Sequence, residues 1–137
     1  MMQDLTINTD LTRQILCDFI RTEITRTGFS RGVVNLSGGL DSALSCCLAA
    51  EALGAENVLA IRLPYKTSSK DSLEHAQLII DQTGVQSRTI EITPMVDPLF
   101  SILGDIDASR KGNIMARERM IVLYDHTVEF KGLAIGT

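Results

Sequence analysis

Residues 37–42 (SGGLDS) combine the residue types that bind phosphate groups. Two successive glycines allow a ligand to approach the backbone closely, and the N–H groups of such a turn, together with the positive end of a following helix, attract anions. Ser37 and Ser42 add hydroxyl donors. Asp41 alone would repel an anion, but a carboxylate that holds Mg2+ beside phosphate oxygens removes this conflict. The spacing therefore predicts a site for a phosphate-bearing ligand and its metal ion.

Two common phosphate-binding motifs are excluded at this segment. A Walker A loop has a different glycine spacing and a lysine before the final Ser/Thr, and no lysine precedes Ser42. The dinucleotide fingerprint G-x-G-x-x-G is also absent from the sequence. The alternative to phosphate binding is a plain tight turn, in which Asp41 caps the helix that follows.

Strands alternate with helices along the chain, which predicts an α/β fold with a parallel sheet covered on both faces. Such a sheet binds its ligands at the carboxyl ends of its strands. The first helix is predicted to be amphipathic and capped by Asp10, with Leu11, Ile15 and Phe19 on its apolar face. The predicted strands are 31–36, 57–63, 87–92 and 133–135, the predicted helices are 10–27, 43–53, 70–83, 96–103 and 113–130, and 104–112 is predicted to be a polar loop.

Composition restricts the class of protein further. The 137 residues are 45% apolar and 22% charged, which is typical of one globular domain. A net charge of −4 argues against a nucleic-acid partner, and no apolar run is long enough to span a membrane. The three cysteines have no metal-ligand spacing and are expected to be reduced, and the N-terminus lacks the apolar segment of a secretory signal. We therefore expect a cytoplasmic protein.

Several polar residues outside 37–42 are expected to be structural. His75 and His126 are predicted to be surface or packed histidines on helices, and Asp105 and Asp107 to lie in a solvated, mobile loop. Basic residues are concentrated at 110–119, where four of the 13 lysines and arginines lie. This cluster leaves room for a local anion site in an otherwise acidic chain.

The segment SGGLDS after an apolar strand resembles the pyrophosphate loop of the adenylating ATP pyrophosphatase superfamily, which includes NAD, GMP and asparagine synthetases and tRNA-modifying enzymes. Three further segments resemble NAD synthetases in particular: IRLPY at 61–65, KGNIMARERM at 111–120 and the GT pair at 136–137. The resemblance implies a Rossmann-like three-layer α/β/α fold of the adenine nucleotide alpha hydrolase-like type.

The resemblance also implies roles for individual residues. Asp41 would be a ligand of Mg2+, Arg117 and Asn113 would bind deamido-NAD, and Arg119 is a weaker candidate. Because Arg117 and Arg119 are two positions apart on a helix, they cannot both point the same way. The resemblance further implies that the loop 104–112 lies near the active site and becomes ordered when ligand binds. No catalytic residue is assigned. The implied ATP-binding residues are Asn35, Leu36, Ser37, Gly38, Gly39, Leu40, Asp41, Ser42, Arg62 and Thr137.

The expected activity is that of an NAD synthetase: ATP adenylates the nicotinate carboxylate of deamido-NAD, and ammonia then displaces AMP. The alternatives are another synthetase of the same superfamily, acting on GMP precursors or tRNA, and a non-catalytic nucleotide-binding fragment. Residues 1–137 are expected to form one ATP-binding domain that is incomplete at its C-terminus. The expected partners are ATP with Mg2+, deamido-NAD, ammonia and a second copy of the chain, with helix 113–130 as a candidate interface unless it is buried within one subunit.

Overall fold

A computed structural model describes residues 6–136 of the chain. Within this range the elements alternate as the sequence predicts. A 3-10 turn at Ala55–Asn57 precedes the second strand. The helices are α1 Thr9–Arg26, α2 Leu40–Leu53, α3 Lys70–Thr83, α4 Thr93–Leu103 and α5 Ala108–Phe130, and the strands are β1 Gly32–Asn35, β2 Val58–Arg62, β3 Gln86–Thr89 and β4 Leu133–Ile135.

The four strands form one sheet in the order β3-β2-β1-β4, and every pairing is parallel. Strand β1 is central: Val33 lies opposite Leu59 of β2 on one side and opposite Ala134 of β4 on the other. The β2 residues from Val58 to Ile61 are fully buried, as expected of a central parallel strand. The predicted parallel α/β fold is confirmed.

Alternating strand residues build two separate cores, one on each face of the sheet. On one face Val34 and Ala60 pack with Cys46 of α2 and Ile80 of α3. On the other face the neighbouring strand positions pack with α4 and α5. The buried members of this second core are Val33, Leu59, Ile61, Leu63, Ile92, Val96 and Val122. Helices therefore cover both faces of the sheet, which confirms the three-layer α/β/α arrangement.

Helix α1 begins and packs differently from the prediction. Its N-cap is Asn8, whose Oδ1 accepts a hydrogen bond of 3.0 Å from the Leu11 backbone, so the predicted cap at Asp10 is wrong. The helix packs on α2 through a face that includes the buried Cys17. Most of the predicted apolar face is left exposed, with Phe19 retaining 61% of its accessible surface, although Ile24, the last predicted member of that face, is buried.

Helix α5 begins five residues before the predicted start. Asp107 is its N-cap and accepts a 2.8 Å hydrogen bond from the backbone of Arg110. The predicted loop 104–112 is therefore wrong in its second half, because Gly112 lies inside the helix. The expected ordering of this loop on ligand binding then has no basis for residues 108–112. Only residues 104–107 connect α4 to α5.

The remaining expectations concern membrane spans, cysteines and histidines. Within residues 6–136, no helix is long and apolar enough to cross a bilayer. The three cysteines are free, and two of them, Cys17 and Cys46, are buried. His126 is packed, with Nδ1 lying 2.8 Å from the Val122 carbonyl, and His75 is exposed on α3. The histidine prediction is confirmed.

Candidate functional site

A cleft of about 410 Å3 opens at the carboxyl ends of β1 and β2. The ends of these two strands form its floor, the start of α3 and the preceding segment form one wall, and α5 forms the other. This is the edge of a parallel sheet at which ligands bind. The lining residues are Asn35, Leu36, Ser37, Arg62, Leu63, Pro64, Ser68, Ser69, Ser72, Leu73, Ala116, Arg119, Met120 and Leu123.

The glycine-rich segment leaves β1 at the floor of this cleft and is braced by its two serines. The hydroxyls of Ser37 and Ser42 lie 3.0 Å apart, and the Ser42 hydroxyl donates to the Gly39 carbonyl at 3.0 Å. The Ser42 hydroxyl also accepts from the Ser37 backbone at 3.2 Å. Ser42 is buried, so its hydroxyl holds the shape of the loop, whereas Ser37 faces the cleft.

Gly38 allows the loop to lie directly against α3. Its φ is +87°, and a Cβ at this position would lie 2.2 Å from the Ser72 carbonyl oxygen. Only glycine adopts this conformation and this approach without strain. The contact fixes the distance between the loop and the wall of the cleft formed by α3.

The loop ends in the first turn of α2, where the helix presents N–H groups without intrahelical acceptors. The N-cap is Gly39, which makes no side-chain cap hydrogen bond, so the alternative role of Asp41 as a cap is wrong. Asp41 is exposed in the first turn and makes no hydrogen bond or ion pair with any residue between 6 and 136. Leu40 is 83% exposed beside it.

A single exposed carboxylate such as that of Asp41 could hold a magnesium ion that is shared with a phosphate ligand. Mg2+ prefers oxygen ligands and is commonly held by one or two carboxylates, with substrate phosphates and water completing its shell. Asp41 supplies one such carboxylate. In the described part of the chain, no three acidic, histidine or cysteine side chains converge to hold a metal by themselves.

Arg62, the last residue of β2, brings a positive charge to the cleft. Its Nη1 donates to the side-chain oxygen of Gln77 at 2.7 Å, which orients the guanidinium from α3. Its Nε is buried and has no hydrogen-bond partner among residues 6–136. An unpaired buried donor is costly, so an acceptor that reached this group would stabilise the site.

Of the two arginines in the middle of α5, Arg119 lines the cleft and Arg117 does not. Arg119 Nε donates to the Leu63 carbonyl at 2.9 Å, and burial lowers the pKa of its guanidinium, which nevertheless remains charged. Arg117 is exposed, and its Nη1 lies 3.1 Å from the sulfur of Met120. Asn113 is exposed and also lies outside the cleft lining.

The cleft thus gathers only some of the residues expected to bind ligand. Asn35, Leu36, Ser37 and Arg62 line it, whereas the segment from Gly38 to Ser42 continues beyond its lining into α2. Thr137 lies outside the described residues.

Sequence reasoning missed the serines of the second wall, at 68, 69 and 72. The sequence does contain a signal for these serines. They follow the buried strand that leads to Pro64, and the segment after such a strand must start at the ligand-binding edge of the sheet. In the structure Arg119 lies on the buried side of α5, three residues from the buried Val122 and seven from the buried His126.

Comparison with known proteins gives consistent results. The family model described as NAD synthase matches residues 12–137. A curated relative, the NH(3)-dependent NAD(+) synthetase of Trichlorobacter lovleyi, is 52% identical over 99% of this chain and 50% of its own length. The chain spans about half the length of the curated relatives it matches.

Solved structures agree on the fold. The NH3-dependent NAD synthetase from Campylobacter jejuni, in complex with nitrate, superposes with a TM-score of 0.91 at 32% identity, over 96% of this chain and 57% of that one. The glutamine-dependent NAD+ synthetase from Acinetobacter baumannii, in complex with ADP, gives 0.84 at 31% identity, over 89% of this chain and 24% of that one. The described cleft and the match across residues 12–137 lead to one conclusion: this chain belongs to the NAD synthase family.

Proposed function

We propose that residues 1–137 form the ATP-binding part of an ammonia-dependent NAD synthetase. The observation that carries the proposal is the cleft at the ends of β1 and β2, where an anion-binding loop, Arg62 and Arg119 meet. Relatives that share about half of this chain's residues are named NH(3)-dependent NAD(+) synthetases, and a structural neighbour was solved with ADP. The remaining residues of the site would come from the part of the family's length that this chain does not span.

The proposed reaction has two steps. An oxygen of the nicotinate carboxylate of deamido-NAD attacks the α-phosphorus of ATP, and the bond to the β,γ-pyrophosphate breaks. The resulting acyl adenylate carries a good leaving group. Ammonia then attacks the carbonyl carbon, AMP leaves with the bonding electron pair, and loss of a proton gives the amide of NAD+. Such transfers depend mainly on positioning and charge neutralisation.

This chain's residues would position ATP and neutralise its charge. The N–H groups at the start of α2 would face the β- and γ-phosphates, with Ser37 beside them at the cleft floor. Arg62 would lie near the adenosine, where its buried Nε could donate to a ligand oxygen or nitrogen. Asp41 would hold Mg2+, which supplies Lewis-acid neutralisation of the phosphates when bound.

The second substrate would approach from the α5 side of the cleft. The family resemblance implies that Arg117 and Asn113 contact deamido-NAD. Neither residue lines the cleft, and both roles stay predictions. Arg119 is the better-placed candidate, since its partly buried guanidinium already lies in the lining.

We also propose that the protein is a homodimer in the cytoplasm and that α5 contributes to the interface. Ile121, Tyr124 and Val128 lie on α5 at spacings of three and four residues, and they are 62%, 56% and 78% exposed. Among the described residues, these three side chains are therefore not buried within the subunit. Sedimentation of the full-length protein tests the dimer, and Val128→Lys should shift it toward the monomer.

Turnover assays test the reaction itself. Full-length protein incubated with ATP, Mg2+, deamido-NAD and ammonium should give AMP, pyrophosphate and NAD+ in equal amounts. Formation of ADP in place of AMP would contradict the mechanism. Asp41→Ala should abolish Mg2+-dependent turnover. If the protein instead bound ATP without releasing pyrophosphate, the non-catalytic nucleotide-binding alternative would be correct.

A further inference from the structure

A cluster of side chains beside the cleft ties the segment after β2 to α4. The Tyr65 hydroxyl donates to Asp97 Oδ1 at 2.7 Å, and the Lys66 ammonium donates to Asp97 Oδ2 at 2.6 Å. The Lys66 backbone donates to the Thr93 hydroxyl at 2.8 Å. The Tyr65 ring also packs edge-on against Phe100, with ring centroids 6.4 Å apart. The two oxygens of the Asp97 carboxylate therefore accept hydrogen bonds from two consecutive residues, Tyr65 and Lys66, in the segment after β2.

The segment held in this way continues directly into the cleft wall. Ser68 N–H donates to the Tyr65 carbonyl at 2.7 Å, and Tyr65 N–H donates to the Ser68 hydroxyl at 3.0 Å, so residues 65–68 form a closed turn. Ser68 and Ser69 both line the cleft, and Ser69 is the N-cap of α3. A displacement of Tyr65 would therefore move the wall that faces Arg119.

We propose that Asp97 is a positioning residue for the ligand cleft, although it does not line the cleft itself. Asp97 fixes the turn 65–68 through Tyr65 and Lys66. This turn then holds Ser68 and Ser69 in place at the cleft wall. The proposal rests on the proposed function, because it takes the cleft to bind ATP with Mg2+. It adds a residue outside the cleft that controls how tightly the nucleotide is held.

The charge arrangement favours positioning over a general contribution to stability. Asp97 joins α4 to a short turn and not to another helix, so its ion pair acts on a segment that lies outside the helices and strands. Surface ion pairs contribute little to global stability, and this one is partly exposed, with Lys66 at 53% and Asp97 at 35%. Loss of the carboxylate should therefore loosen the turn while the core keeps its structure.

The test compares Asp97→Ala, Asp97→Asn and a matched control. Glu51→Gln breaks an ion pair of similar exposure, Arg13–Glu51, which joins α1 to α2 and has no residue in the cleft. Mg·ATP is titrated into the full-length protein and each full-length variant by calorimetry, and hydrogen exchange is followed over residues 64–69. The amide introduced by Asp97→Asn retains an acceptor for the Tyr65 hydroxyl but loses the ion pair with Lys66.

Asp97→Ala should weaken Mg·ATP binding about fivefold and speed exchange of the turn about tenfold, since it removes two hydrogen bonds to a charged group. Asp97→Asn should lie between Asp97→Ala and wild type in both Mg·ATP affinity and exchange rate of the turn, and Glu51→Gln should change neither quantity. An affinity within twofold of wild type in Asp97→Ala would overturn the proposal, as would unchanged exchange of the turn. Absence of Mg·ATP binding by the full-length wild-type protein would instead overturn the proposed function.

Discussion

Gly38→Ala tests the close contact between the glycine-rich loop and α3. The φ of Gly38 is +87°, and an added Cβ would lie 2.2 Å from the Ser72 carbonyl oxygen and 2.7 Å from the Ser72 Cα. Both atoms belong to the backbone of a helix, so neither can rotate away. The loop or the start of α3 must therefore move, and the cleft between them must change shape.

Two contributions to the free energy destabilise the Gly38→Ala variant. A non-glycine residue in the left-handed region costs about 1–2 kcal/mol, and forcing a methyl group against a fixed backbone costs about 1–3 kcal/mol more. The sum of about 2–5 kcal/mol is a large part of the roughly 5–15 kcal/mol that stabilises a typical domain. Gly84→Ala is the matched control, because its φ is +71° but nothing lies within 4 Å of the added Cβ.

Urea unfolding of the wild type and both variants measures the difference directly. Gly84→Ala should lose only the conformational cost, and Gly38→Ala should lose about 1–3 kcal/mol more in the free energy of unfolding. Gly39→Ala should be tolerated better than Gly38→Ala, since its φ is −82° and its Cβ would meet only the Ser37 hydroxyl at 3.5 Å. Equal losses for Gly38→Ala and Gly84→Ala would refute the close contact.

Three further outcomes are expected. Arg119→Met should weaken binding of deamido-NAD to the full-length protein about tenfold, and Arg117→Met should leave it unchanged in a calorimetric titration; the reverse order would contradict the preference for Arg119 as the deamido-NAD contact. Burial raises the pKa of the Cys46 thiol to about 11, so iodoacetamide at pH 8 should spare it in the folded chain and modify it in urea, as read by mass spectrometry. Hydrogen bonds from Lys66 and then Tyr65 lower the pKa of Asp97 from its ordinary value of 3.8. The restraint that Asp97 places on the turn 65–68 is therefore complete above that value and is lost as pH falls through the folded-state pKa, so hydrogen exchange of residues 64–69 in wild type and Asp97→Asn should differ above pH 3.8 and converge only below the folded-state pKa.

Elements with local stop signals could be predicted from the sequence to the residue. Helix α3 was predicted at 70–83 and is observed there, because Ser69 caps its start and Gly84 takes the left-handed conformation at its end. The start of α5 could not be predicted in this way. Gly112 and its polar neighbours are typical of a loop, but a single interior glycine costs a helix only about 1 kcal/mol. The Asp107 cap and the packing of α5 on the sheet outweigh that cost.

The position of the site was predictable, but its full lining was not. The rule for parallel sheets correctly brings the ends of β1 and β2 together. Which α5 arginine faces the cleft depends on how the helix is rotated against β2, and the Arg119 contact with Leu63 joins residues 56 positions apart. The apolar face of α1 shows the same limit, since α2 packs against Cys17 and leaves Phe19 exposed.

The central position of β1 has a consequence for how the chain acquires its structure. Gly32 lies opposite Val58 on one side and opposite Leu133 on the other, so the second neighbour of β1 is made about a hundred residues after β1 itself. Contacts between residues distant in sequence form slowly, because a long loop must close first. The strand that carries the glycine-rich loop can therefore pair with β2 first, and its other edge stays unpaired during synthesis until β4 has been made.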